Sequence, residues 1–172
     1  MNLDLDQVST GIVLAGERHF RNKIKPMIKW VDIVAPELRE IHRHWCELRG
    51  PRLMPHLGVY NAFSPVTSAD STVSAVLPGG DAEPVFRFVG REVRMLFPQC
   101  EAGRAFSKVS HLTTRGTIVN VFHGVRHARQ PDCRRGVVRL GDRSLPFEQL
   151  VLPFANDQIR VCLIHSCFAV WS

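Results

Sequence analysis

The hydrophobic positions of this chain change period at a single glycine. Across residues 85–89, Val85, Arg87 and Val89 alternate with Phe86 and Phe88, a period of two that predicts a strand with both phenylalanines on one face. Beyond Gly90, Leu96 and Phe97 follow Val93 by three and four residues, which predicts one face of a short helix halted by Pro98. Strand, glycine, short helix, proline and a second glycine at Gly103 predict short helices forming one wall of a pocket over a sheet. That order is not the layout of a catalytic motif.

The rest of the chain extends this pattern. Residues 36–50 place Leu38, Ile41, Trp45 and Leu48 on one helical face, with Pro36 in the first turn, Glu37 near the positive end of the dipole and Gly50-Pro51 as a stop. That face must lie against its own sheet or against a second subunit, and these four residues are the expected interface. Residues 51–84, rich in proline, serine and glycine, predict a connecting loop, a helical turn and a first strand near 73–77, closed by the turn Pro78-Gly79-Gly80-Asp81. Residues 111–128 predict a longer helix through Ile118, Val119, Phe122 and Val125, weakened by Gly116 and Gly124. Three strands at 134–140, 145–152 and 160–171, separated by polar turns, close the chain as an antiparallel meander. Residues 1–35 read as an N-terminal extension containing one strand or short helix.

Length and composition narrow the function classes. At 172 residues the chain suits one domain with an extension, and its eleven prolines and twelve glycines are spread through turns instead of being massed in a linker. A net charge of +6 permits attraction to nucleic acid or anionic lipid, but the arginines are interspersed with apolar residues and turns and no nucleic-acid motif accompanies them. Five cysteines with no paired CxxC spacing and no recognisable secretory leader make the cytoplasm the expected compartment. No apolar run reaches the length of a membrane span, so no membrane insertion is expected.

The order of two strands, short helices, a longer helix and three antiparallel strands is that of a PAS-type domain. More specifically, the chain resembles a proteobacterial family of PAS-like domains. The matching elements are Trp45 with Arg49-Gly50-Pro51-Arg52-Leu53-Met54-Pro55, then Phe86-Arg87-Phe88-Val89-Gly90-Arg91-Glu92-Val93 with Phe97 and Ala102-Gly103-Arg104-Ala105-Phe106, and last Phe147-Glu148-Gln149-Leu150-Val151-Leu152-Pro153-Phe154. The resemblance covers residues 36–171. It implies an α+β fold: a PAS-like five-stranded antiparallel sheet with short helices on one face and an N-terminal amphipathic helix. It also implies a sensing or protein-interaction role, with an unknown ligand and no enzymatic activity. No Asn-Cys-Arg-Phe run occurs, so a covalent flavin photocycle is not implied.

Candidate chemistry is sparse. His123 and His127 stand one helical turn apart but lack an intervening glutamate or an evident third ligand, so a metal site is not expected. His165 interrupts an apolar strand and, if buried, needs a polar partner. No nucleophile, base and orienting acid come together in the sequence. The expected ligand-binding residues are Phe88, Phe97, Phe122, His127 and His165, lining a space between sheet and helices. The expected function is a sensory or adaptor domain that binds a small molecule or a protein partner and signals through helix packing or homodimerisation. The alternative is a basic nucleic-acid-associated protein using Arg126, Arg129, Arg134, Arg135 and Arg139; a small enzyme with His127 or His165 as base ranks below both.

Overall fold

A computed structural model describes residues 32–63, 68–79 and 82–171 of the chain. The strand or short helix expected in the N-terminal extension falls outside the described residues, as do Gly80 and Asp81 of the predicted turn. The elements are helix α1 (Pro36–Arg49), one-turn helix α2 (Tyr60–Phe63), strands β1 (Thr72–Val76) and β2 (Val85–Val89), and helix α3 (Arg91–Leu96). Short helix α4 (Leu112–Thr114) runs through a π-helical turn (Arg115–Val119) into α5 (Asn120–Ala128), and strands β3 (Asp132–Leu140), β4 (Arg143–Ala155) and β5 (Val161–Val170) follow. The strands form one antiparallel sheet in the order β2-β1-β5-β4-β3, so the fold is α+β.

Local chemistry accounts for the boundaries. Pro36 opens α1, Glu37 and Arg49 complement its dipole, and Gly50 at φ 56° ends it. Gly90 separates β2 from α3 because the chain doubles back there against its own backbone. A β-carbon at Gly90 would lie 2.2 Å from the carbonyl oxygens of both Ala69 and Asp70. The Gly90 amide donates to Thr72 O at 2.8 Å and the Glu92 amide to Asp70 O at 3.0 Å, closing the junction. Gly116 is absorbed by the π-helical turn, and the helix ends at Arg129 in the left-handed conformation.

Both faces of the sheet are buried along its central strands β1, β5 and most of β4. Alternation along β4 and β5 puts Phe147, Gln149, Val151, Ile164, Ser166 and Phe168 on one face, which α3 to α5 roof over. There Phe97 packs on Phe147 and Phe168 with ring centroids 5.9 and 5.2 Å apart, and Phe106 bridges Phe86 and Phe122 at 4.8 and 6.0 Å. The opposite face carries Leu152, Phe154, Leu163, His165 and Cys167 and is covered by α1 and α2. The indole of Trp45 donates to Pro153 O at 3.1 Å, and Tyr60 and Phe63 each stand 5.2 Å from Phe154. The apolar face of α1 is therefore spent within the chain: Leu38, Ile41 and Trp45 are buried against the sheet and Leu48 is half-buried, so they are not an exposed surface for a second subunit. Ile33 and Ala35 join the same core, which starts upstream of the boundary expected at residue 35.

Candidate functional site

The sequence expectation of one pocket walled by Phe88, Phe97, Phe122, His127 and His165 does not survive the tertiary arrangement. Phe97 and Phe122 are fully buried under the roof. His165 lies on the opposite face of the sheet, beneath α2, because the alternation of β5 sends it there. Phe88 is 43% exposed. The cause is a β-bulge: Ala75 pairs with Phe86 and Ser74 with Phe88, so Arg87 is an extra residue that takes Phe88 off the face of Phe86. The Arg87 guanidinium instead sits over the Tyr60 ring at 5.5 Å. His127 is exposed at the end of α5.

Around His165 a small polar cluster is sealed into the outer face. Its Nδ1 shares a 2.8 Å hydrogen bond with the Tyr60 hydroxyl, the imidazole is 1% exposed, and Nε2 has no partner among the described residues. Ser74, paired with His165 across the sheet, is buried beside the same tyrosine hydroxyl. Burial pushes the His165 pKa down to about 3, so the ring is neutral. Burial raises the Tyr60 hydroxyl, with Ser74 and the Arg87 guanidinium acting in the opposite direction. Serine, histidine and tyrosine meet here with no carboxylate among their hydrogen-bond partners in the described residues.

Two neighbouring residues of β4 add further polar groups to the interior. Gln149, under the roof, donates from Nε2 to Ser166 Oγ at 3.1 Å, while its Oε1 has no partner among the described residues. Glu148 faces the other way and is fully buried. Its carboxylate accepts from the Ala35 amide at 2.7 Å, from the Val34 amide at 3.0 Å and from Arg135 Nε at 3.1 Å, gripping the entry to α1. Arg135 also donates to Asp32 O at 2.9 Å. Burial alone would raise the Glu148 pKa; the amides of Ala35 and Val34 and the Arg135 guanidinium outweigh it and hold the carboxyl below its ordinary value. Neither residue was singled out by the sequence reading. The available signal was two polar side chains interrupting the apolar run 145–152.

The remaining predicted chemistry is dispersed. Arg134 pairs with Asp132 and Arg135 with Glu148 on opposite faces of β3, while Arg129 ends α5, so the five arginines form no single basic face. All five cysteines are unpaired and burial raises each thiol, three of them to about 12, so they behave as small hydrophobes. Among the described residues no group of three or more histidine, cysteine or acidic side chains is placed to hold a metal, and no helix is long and apolar enough to cross a membrane. A cavity of about 520 Å³ opens where Leu77-Pro78-Gly79, the end of α5 and the β4–β5 turn meet. A smaller one of about 240 Å³ lies beside α1 at Leu38, Ile41 and Phe168. No protein-family model, curated protein or solved structure was found to match the chain.

Proposed function

We propose that the chain is a PAS-like sensory or adaptor domain, non-enzymatic, that transmits a change in its roofed interior to helix α1. The observation that carries this reading is the back-to-back placement of Gln149 and Glu148 on β4. Gln149 sits under the roof with an uncommitted acceptor; Glu148, the preceding residue, holds the amides at the start of α1 on the opposite face. A shift of β4 that satisfies Gln149 must move the carboxylate that anchors α1, because adjacent strand residues share one peptide plane and point to opposite faces. The element order and the helices roofing one face of the sheet support the PAS-like reading. Output then passes to a partner protein, or to a second copy, that engages α1 as its packing changes.

Native-state hydrogen exchange on the full chain tests the proposal. A signalling helix opens as a unit of its own, so α1 amides should exchange at a free energy below that of β4 and β5, and Glu148→Gln should lower the protection of α1 selectively. Exchange of α1 only through global unfolding, or an equal loss of protection in all elements of Glu148→Gln, would overturn it.

A further inference from the structure

We propose that the cavity at the end of the sheet binds a small organic monoanion, a carboxylate carried on an apolar chain. The site is distinct from the roofed interior and from the α1 anchor, and the inference does not depend on the sensory reading. Its lining includes two arginines, Arg126 on α5 and Arg160 after the β4–β5 turn, with Pro78 and the exposed Ile159 as its apolar part, while Leu77 and Val161 lie beneath it. Its volume of about 520 Å³ is that of a small-ligand site. Neither guanidinium has a carboxylate within ion-pair distance among the described residues, unlike Arg104, Arg134 and Arg135. Ile159 is 65% exposed at the mouth, an apolar side chain left in water beside a cation.

The turn that presents Arg160 is braced. Asp157 Oδ1 accepts the amides of Ile159 at 3.0 Å and Arg160 at 2.8 Å, and Gln158 exchanges hydrogen bonds with the backbone of Met54 at 3.3 and 3.1 Å. The Arg160 guanidinium lies close over Gly79, where an added β-carbon would stand 3.7 Å from Nη1. The charge on the lining selects the ligand. Two arginines and one aspartate leave the described lining with a net charge of +1, which a single carboxylate neutralises; the desolvation cost of a dianion grows with the square of its charge while its attraction grows only linearly. The fork of a guanidinium suits the planar carboxylate, and the apolar wall takes the chain.

Isothermal titration of the full chain with sodium octanoate tests the site, with 1-octanol, octylammonium and octyl phosphate as the other arms. Saturable one-to-one binding of octanoate is expected, weakening about fourfold for each methylene removed. Arg160→Gln and Arg126→Gln should each weaken it tenfold or more. Octanol and octylammonium should not compete, and octyl phosphate should bind more weakly than octanoate. Arg160 is exposed in the turn, so its variant carries the test even if Arg126→Gln fails to fold. Ile159→Ser should flatten the dependence on chain length. Absence of octanoate binding at millimolar concentration, equal binding of octanol, tighter binding of octyl phosphate, or unchanged affinity in a folded Arg160→Gln chain would overturn the proposal.

Discussion

Acid should destabilise this protein well above the carboxylate range, and His165 is the reason. In the folded chain the ring is neutral to about pH 3, whereas in the unfolded chain it takes a proton near 6.5. Because the folded value is depressed, the contribution of this histidine is complete above pH 6.5 and is lost as the pH falls from there toward 3. Each pH unit within that window is worth about 1.4 kcal/mol. At pH 5 protonation of the unfolded chain therefore costs about 2 kcal/mol of stability relative to pH 7. That is a large share of the roughly 5–15 kcal/mol holding a domain together. The assay is denaturant unfolding of the wild-type chain and of His165→Gln at pH 7, 6 and 5. Glutamine keeps a polar side chain beside Tyr60 but does not titrate. His42 and His123, whose values are also lowered by burial and by nearby arginines, are common to both proteins and cancel in the comparison. Between pH 7 and 5 the wild type should lose about 2 kcal/mol more than the variant. Parallel losses, agreeing within about 0.5 kcal/mol, would refute a neutral, sealed imidazole.

Three further outcomes follow from the geometry. Glu148→Gln removes the charge that holds the Ala35 and Val34 amides and Arg135, and should cost about 1.5–3 kcal/mol at neutral pH by denaturant unfolding. Since the folded pKa of Glu148 is depressed, that difference should be complete above the ordinary value of 4.5 and shrink as the pH falls through the folded value. Gly90→Ala drives a methyl group onto two carbonyl oxygens and should cost at least about 2 kcal/mol, whereas Gly124→Ala, with open space at its β-carbon, should be neutral or stabilising in thermal melts. Trp45→Ala should cost roughly 3–5 kcal/mol with no change of mass in sedimentation, because the indole is buried against β4 of its own chain.

The elements themselves were legible in the residues. The change of period at Gly90, the amphipathic stripe of α1 and the three closing strands are local patterns, set by side chains a few positions apart, and the structure has strand or helix where they fall. Simple alternation along β5 sets His165 on the same face as Leu163 and Cys167. What no local pattern contains is the partner that each face meets. A single extra residue, Arg87, shifts the pairing of β2 by one and carries Phe88 away from Phe86, because side-chain direction in a strand depends on register with its neighbour. The stripe of α1 pointed to an interface with a second subunit, and only the contact of Trp45 with Pro153, more than a hundred residues later, lays it on its own sheet. The cavity between Arg126 and Arg160 belongs to the same class of feature: its walls come from three separate segments, and only closure of the sheet brings their charges to one opening.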